Sequence, residues 1–136
     1  GSAILTNGAG SVISGNRIVT TAAVAVEVYG ASTTVTANNL APSGGEGVLM
    51  RAARIAVTGN TITSATQGVR VGASGAGASA SNGLVNSNTI TGCAFFGVNV
   101  TSGAVDTLVI GNNLVGNTSG GLTDAGTTTT AASNKP

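Results

Sequence analysis

Hydrophobic and polar positions follow one short pattern that occurs five times along this chain. Each copy has an aliphatic residue, a spacer, a small residue, an asparagine, a second spacer, and then Ile or Leu. The copies occupy residues 13–18, 35–40, 57–62, 85–90 and 109–114, and their asparagines are 22, 22, 28 and 24 residues apart. A period in the twenties with strand-like alternation predicts a solenoid, in which each repeat forms one coil and buries its apolar face against neighbouring coils.

A second alternating segment follows each asparagine, at residues 25–28, 47–50, 68–71, 97–100 and 121–124. Alternation of period two predicts short β-strands with one buried face. Asn-Gly pairs, which are typical of hairpin turns, occur only at residues 7–8 and 82–83, between repeats. Equivalent strands are therefore predicted to pair in parallel, about 4.8 Å apart. The predicted interior stacks are Ile18, Leu40, Ile62, Ile90 and Leu114 on one strand, and Val26, Val48, Val69, Val98 and Leu122 on the next.

An asparagine recurs at the same bend of every predicted coil. Its amide can donate to, and accept from, the asparagines one coil above and below, and Asn tolerates the left-handed backbone conformation that a sharp bend requires. These positions predict a structural ladder, with five turn asparagines that make no mutual contact as the alternative. The ladder residues are Asn16, Asn38, Asn60, Asn88 and Asn112.

The repeated phrase, with its small residue before Asn and the Gly-Val-x-Val that follows at residues 68–71 and 97–100, resembles the right-handed parallel β-helix of pectate lyases, polysaccharide-processing enzymes and bacteriophage tail spikes. The resemblance covers roughly residues 11–124. It implies an all-β, right-handed parallel β-helix of about five coils over residues 1–126. Residues 127–136 are expected to be a polar tail, either as a last β-strand with a tail or as a partial cap.

The composition is compatible with a thin solenoid. The 136 residues make one domain at most, and Tyr29, Phe95 and Phe96 are the only aromatic residues, so the core is expected to be aliphatic. The start of the chain shows no capping helix, which favours truncation or a partner chain that covers the end. Gly1-Ser2 is interpreted as a cloning remnant, and no apolar run is long enough to cross a bilayer. The stretch from Gly72 to Asn82 is predicted to be an exposed loop.

Charge and cysteine usage argue against several classes of partner. The net charge is +1, and five basic residues do not form the long stripe that nucleic acid requires. The single Cys93 is expected to be a small buried hydrophobe, with no internal disulfide and no metal cluster. No cofactor is expected.

Catalysis within this chain has little support in the sequence. The chain contains no His, and its acids are Glu27, Glu46, Asp106 and Asp124. Glu27 and Glu46 are weak catalytic candidates in neighbouring coils, about three residues apart along the strand, which separates their backbones by roughly 11 Å. Paired carboxylates in glycosidases lie about 5–9.5 Å apart. The acidic cluster of a pectate-lyase-like calcium site has no counterpart, so no catalytic residue is carried over from that family.

The outward columns are small, polar and mostly uncharged. Candidate glycan or partner contacts are Arg17, Glu27, Tyr29, Leu49, Arg70 and Asn99, with Val19, Leu49 and Val115 as apolar interface positions. The resemblance implies a tail-spike or fibre segment in the virion tail, or otherwise extracellular, that forms homotrimers and attaches to bacterial surface polysaccharide. The alternatives are a polysaccharide-degrading enzyme fragment, a passive adhesin stalk, and an ice-binding face built from residues 61–63 and 89–91.

Overall fold

The computed structural model describes residues 1–72 and 80–136, which contain sixteen short β-strands. In chain order these are β1 (Ser2–Thr6), β2 (Val12–Ser14), β3 (Arg17–Thr20), β4 (Val24–Val28), β5 (Thr34–Thr36), β6 (Asn39–Pro42), β7 (Glu46–Met50), β8 (Ala56–Thr58), β9 (Thr61–Thr63), β10 (Gln67–Val71), β11 (Leu84–Asn86), β12 (Thr89–Thr91), β13 (Phe96–Val100), β14 (Leu108–Ile110), β15 (Gly120–Asp124) and β16 (Thr130–Ala132). All strand pairings among the described residues are parallel, as the sequence predicted.

The strands stack into three sheets that run the length of the solenoid. Sheet A has the order β1-β4-β7-β10-β13-β15, sheet B has the order β16-β14-β11-β8-β5-β2, and sheet C has the order β12-β9-β6-β3. Each of the first four coils thus contributes three strands, whereas the sequence indicated two; in the fifth coil an isolated bridge at Asn113 takes the place of the sheet C strand. The difference arises because the repeated phrase is not one strand: its bend divides it between sheets B and C.

The bend has a left-handed residue at the same position of each coil. The small residue before the asparagine has a positive φ in all six cases: Gly15 (68°), Ala37 (55°), Gly59 (63°), Ser87 (54°), Gly111 (65°) and Ser133 (54°). The sequence reasoning assigned this backbone role to the asparagine itself, and the structure corrects it. A small side chain at this position minimises the steric penalty of the left-handed conformation.

The asparagines at the bends are linked by side-chain hydrogen bonds. Nδ2 of Asn16 donates to Oδ1 of Asn38 at 3.0 Å, and equivalent bonds join Asn38 to Asn60, Asn60 to Asn88, and Asn88 to Asn112. Each accepting Oδ1 also receives the backbone N–H of the preceding asparagine. From Asn38 onwards, Nδ2 also donates to a backbone carbonyl of the previous coil, as Asn60 does to Val35 at 2.9 Å. Each amide from Asn38 onwards therefore links three successive coils.

The last ten residues extend this arrangement. β16 pairs in parallel with β14, and Lys135 bridges to Asn113. Asn112 donates to Oδ1 of Asn134 at 2.9 Å, which adds a sixth asparagine that the sequence reasoning did not include. The solenoid therefore has about six coils, close to the five expected.

The core consists of the predicted aliphatic stacks. Ile18, Leu40, Ile62 and Ile90 are in register on sheet C, and Val26, Val48, Val69, Val98 and Leu122 are in register on sheet A. Most are fully buried, while Ile18 and Leu122 at the two ends are partly buried. Sheet B supplies a third stack, formed by Ile13, Val35, Val57, Val85 and Val109.

Two further expectations concern the third coil and the cysteine. Of the loop predicted from Gly72 to Asn82, residues 73–79 lie outside the described residues. Immediately after them, Ala80 is buried and Ser81 bridges to Val105.

Cys93 is fully buried, and burial raises the pKa of its thiol to about 11. A thiol with that pKa is protonated at neutral pH and behaves as a small apolar side chain.

Candidate functional site

The outer face of sheet A carries two columns of outward side chains. The first is formed by Ser2, Val24, Glu46, Gln67, Phe96 and Gly120, and the second by Leu5, Glu27, Leu49, Arg70, Asn99 and Thr123. The residues between the columns face the core: Val48 is fully buried, and a Cβ on Gly47 would lie 2.5 Å from Cγ2 of Ile62. Because two consecutive residues of each strand face inward, no outward side chain stands between the columns, which flank a concave surface.

This concavity forms an open groove of about 270 Å³ over the first four strands of sheet A. Its lining combines hydroxyl, carboxylate, guanidinium and aliphatic groups. The lining residues are Gly1, Ser2, Ala23, Val24, Glu27, Glu46, Leu49, Arg51 and Arg70.

Two ion pairs lie in the groove. Nε of Arg51 donates to Oε1 of Glu27 at 2.6 Å, and Nη1 of Arg70 donates to Oε1 of Glu46 at 3.1 Å. All four side chains are largely covered, with exposed fractions between 12 % and 27 %. Partial burial lowers the effective dielectric, so these pairs are held more firmly than fully solvated surface pairs.

Glu27 is the most enclosed acid of the groove. Burial alone raises its pKa, but hydrogen bonds from Ser2, Arg51 and Tyr29, together with the charge of Arg51, outweigh burial and hold the pKa below its ordinary value. Oγ of Ser2 donates to Oε2, so both carboxylate oxygens have partners. Glu27 is therefore ionised at neutral pH and fixed in orientation.

Tyr29 stands at one side of the groove. Its side chain is 45 % exposed, and the guanidinium of Arg51 lies 5.2 Å from its ring centroid. A cation over the ring orients Arg51 between the aromatic face and the carboxylate of Glu27. Tyr29 thus helps to position a groove arginine while it remains accessible to solvent.

The same face continues beyond the groove along the solenoid axis. Nδ2 of Asn99 donates to Oε1 of Gln67 at 2.7 Å across neighbouring coils. Phe96 follows in the first column and is partly exposed, with its ring edge 3.9 Å from where a Cβ on Gly120 would lie. Phe95, the preceding residue, is 50 % exposed. Uncharged amides and an aromatic ring therefore succeed the charged half of the face.

The structure brings most of the candidate contact residues together. Glu27, Leu49, Arg70 and Asn99 are successive members of one outward column, with Tyr29 beside them. Arg17 lies on sheet C, away from the groove. Leu49 is only 2 % exposed, so it contributes to the groove lining and not to the exposed apolar surface that the sequence suggested.

Several groove residues were missed or misread in the sequence. Ser2 was interpreted as part of a cloning remnant, and Arg51 was not among the candidate contact residues. One signal was present: the acid and base of each ion pair are 24 residues apart, which is about one coil. At that spacing the arginine lies on the next coil, two or three residues beyond the register neighbour of the acid, which is Leu49 for Glu27 and Gln67 for Glu46.

The described residues offer no metal site. Nowhere in residues 1–72 and 80–136 do three or more His, Cys, Asp or Glu side chains come together in a group that could hold a metal ion. Over the same residues, no helix has the length and apolar character needed to cross a membrane.

The stacked parallel sheets and the regular core define the chain as a parallel β-helix. The sequence model of the family described as right handed beta helix region matches residues 2–135, and the chain belongs to that family. Comparison with curated proteins and with solved structures gave no match.

Proposed function

We propose that this chain is a segment of a bacteriophage tail spike or fibre, that it attaches to bacterial surface polysaccharide through the groove of sheet A, and that it is not catalytic by itself. The observation that carries the proposal is the groove, in which two Arg–Glu pairs and a serine hydroxyl converge beside an exposed tyrosine. Concave sites with a few oriented polar groups are the usual form of a ligand site.

The chemistry of the groove suits the hydroxyl groups of sugars. A hydroxyl donates one hydrogen bond and accepts others, so it can use carboxylate acceptors and guanidinium donors in the same site. The ion pairs hold both kinds of group in place before a ligand arrives, which reduces the ordering cost of binding.

The state of the two acids favours binding over hydrolysis. A glycosidase needs one carboxyl with a raised pKa that donates a proton to the leaving group. Glu27 has its pKa shifted in the opposite direction, and Glu46 is engaged by Arg70. Glu27 therefore lacks the environment of a proton donor.

Association of copies side by side is the second part of the proposal. The outer face of sheet B carries no charged side chain in any of its six strands, and it exposes Val12 and Leu108 by 68 % and 42 %. An uncharged face with exposed aliphatics is suited to contact with copies of the same chain, and a trimer is the arrangement that we propose.

Binding to purified surface polysaccharides, measured by titration calorimetry, tests the attachment role. Arg51→Ala should weaken binding about tenfold or more, because it removes a charged hydrogen-bonding group from the groove. Arg54→Ala is the matched control: Arg54 is three residues away and bonds to Ser32 at an exposed corner. Equal loss in both variants, or no binding to any polysaccharide, would contradict the role assigned to the groove.

The same polysaccharides serve to test the non-catalytic assignment. Incubation with the protein should release no oligosaccharides, as measured by reducing ends. Release that is abolished by Glu27→Gln or Glu46→Gln would show instead that the groove is an active site. Light scattering of the unmodified chain tests the trimer, which a strictly monomeric particle would rule out in favour of a stalk.

A further inference from the structure

We infer that the groove selects an electrically neutral, hydroxyl-rich glycan that lies along the solenoid axis, from the ion pairs of the first coils to the Phe96 ring. This inference rests on the proposed attachment role and specifies the class of ligand. It follows from the charge balance of the groove and from the order of side chains along the outer face of sheet A.

The four charged side chains of the groove cancel one another. Each guanidinium is paired with a carboxylate, at 2.6 Å for Arg51 with Glu27 and 3.1 Å for Arg70 with Glu46. An acidic polymer that approached either arginine would also approach its carboxylate partner, and the repulsion would offset the attraction. A basic polymer would be attracted by each carboxylate and repelled by its arginine partner. A neutral glycan meets no such repulsion.

Specific attraction remains for hydroxyl groups. The carboxylates have acceptor capacity beyond their present partners, since each ionised oxygen has two lone pairs. Hydroxyls of a neutral sugar can donate to these lone pairs and accept from groove N–H groups without disrupting the ion pairs. The groove therefore favours ligands that form hydrogen bonds over ligands that carry a net charge.

The direction of the ligand follows from what lies beyond the groove. Gln67 and Asn99 are hydrogen bonded to each other on the same outer face, and Phe96 occupies the first outward column. These three side chains are uncharged, and successive coils are about 4.8 Å apart. A linear ligand parallel to the axis passes from the ion pairs to the coil of β13, where the amide of Asn99 and the ring of Phe96 occupy the two outward columns of one strand. The apolar surface of the ring suits the C–H face of a sugar.

A panel of neutral and acidic polysaccharides tests the ligand class. The neutral probes are dextran, mannan and galactan, and the acidic probes are polygalacturonate and alginate. We expect binding to at least one neutral polymer, with an affinity that changes less than about twofold between about 0.05 and 0.5 M NaCl, because screening acts on net charge. Binding only to acidic polymers, weakened by salt, would overturn the inference and leave the attachment role standing. Absence of binding to every probe would count against the attachment role itself.

Two pairs of variants test the cause of the selectivity. Glu46→Gln gives the groove a net positive charge, so it should acquire binding to an acidic polymer that the unmodified chain does not bind. Asp106→Asn makes the same change of net charge outside the groove and should acquire none. Phe96→Ala should weaken binding to the neutral polymer several-fold, while Phe95→Ala should not. Failure of Glu46→Gln to differ from Asp106→Asn, or equal effects of the two phenylalanine changes, would contradict the arrangement proposed here.

Discussion

The asparagine ladder supplies hydrogen-bond partners to backbone groups at the bend of each coil. At each bend the chain turns from sheet B to sheet C, and backbone N–H groups there cannot all pair within a sheet. The Oδ1 atom of the next asparagine accepts one of these N–H groups, and Nδ2 donates to a carbonyl of the previous coil. The side chain therefore stands in for the missing sheet hydrogen bonds, which explains why a buried amide is stable here.

Removal of a central ladder amide should be costly. Asn60 is 1 % exposed, and Asn60→Ala would leave the backbone N–H of Asn38 without its acceptor. It would also remove one of the acceptors of Asn38 Nδ2 and the amide that donates to the carbonyl of Val35. Because buried unsatisfied groups cost about 1–3 kcal/mol each, we expect a loss of about 3–5 kcal/mol in the free energy of unfolding. Urea denaturation measures it. Asn16→Ala is the control: it lies at the more exposed end of the ladder, where water can replace lost bonds, and should cost about 1 kcal/mol.

The left-handed residue before each asparagine can be tested by exchanging glycine and alanine at equivalent positions of two coils. Gly59 has a φ of 63°, and a Cβ there would meet nothing within 4 Å, so Gly59→Ala adds backbone strain and no clash. We expect a destabilisation of about 1 kcal/mol. Ala37 occupies the equivalent position one coil earlier with a φ of 55°, so Ala37→Gly should be neutral or slightly stabilising. Thermal unfolding of both variants is the measurement, and a stabilising Gly59→Ala or a clearly destabilising Ala37→Gly would contradict the strain account.

The role of this small residue was not apparent from the sequence for a physical reason. Asparagine and glycine both tolerate a positive φ, and here they are adjacent. The recurrence of Asn16 and its equivalents was enough to predict a column at one bend. The choice of which residue turns the chain depends on the three-dimensional requirement that the amide reach the next coil.

At the scale of the elements, sheet A is shaped by a column of small residues. Gly47, Gly68, Gly97 and Gly121 stand in the inward position that bends each strand. A Cβ on Gly68 would lie 2.5 Å from the carbonyl oxygen of Gly97 and 2.1 Å from Cγ2 of Ile90. The glycines thus allow the close approach of sheets A and C.

Substitution in this column should be destabilising by overpacking. Gly68→Ala forces a methyl group against the backbone of the next coil, and we expect a cost of about 1–3 kcal/mol. Gly44→Ala is the control, because a Cβ there meets nothing within 4 Å and the residue has no positive φ. Chemical denaturation should show little change for Gly44→Ala. A harmless Gly68→Ala would mean that the sheets are less tightly packed than the structure indicates.

The Glu27 ion pair predicts an acid-sensitive component of stability. The pKa of Glu27 is lower in the folded chain than in the unfolded one, so on acidification the unfolded chain takes up the proton first. The contribution is complete above the unfolded pKa of about 4.3 and is lost as the pH decreases through the folded value. Glu27→Gln should therefore be less stable than the unmodified chain at pH 7, and the difference should diminish towards pH 3. A difference independent of pH in thermal melts would argue against this assignment.

The groove shows where sequence reasoning reached its limit. The repeat predicted which residues of sheet A point outward, and it placed Glu27, Arg70 and Asn99 in one column. It did not predict that Arg51, beyond the end of β7, turns back onto Glu27, because that depends on side-chain conformation and on the ring of Tyr29. Leu49 lies between Glu27 and Arg70 in its column, and its burial likewise depends on side-chain conformations.

At the scale of the whole molecule, the three faces of the prism differ in charge. Sheet A carries the ion pairs, and sheet C has Arg17 at one end and Lys135 bridged at the other. Sheet B presents two outward columns of aliphatic and small polar side chains, none of which is charged. These columns are Val12, Thr34, Ala56, Leu84, Leu108 and Thr130, and Ser14, Thr36, Thr58, Asn86, Ile110 and Ala132.

This asymmetry determines which face should meet another copy in the proposed trimer. Burial of a charged side chain without a partner is costly, and sheet B is the face on which no such cost arises. With sheet B at the centre, the groove of sheet A remains open to solvent on each copy. Attachment and assembly then use different faces, so three grooves can engage one surface at the same time and gain avidity.

Charge introduced on one face should therefore separate the copies. Leu108→Glu places a carboxylate at an exposed position of the uncharged face. We expect the particle mass measured by light scattering to decrease to that of a monomer, with the fold retained by circular dichroism. Val19→Glu is the matched control, because Val19 is 66 % exposed on sheet C and should leave the mass unchanged. If Val19→Glu dissociates the particle and Leu108→Glu does not, sheet C is the contact face. Loss of polysaccharide binding strength in the dissociated variant, with affinity for single short glycans unchanged, would identify avidity as the reason for assembly.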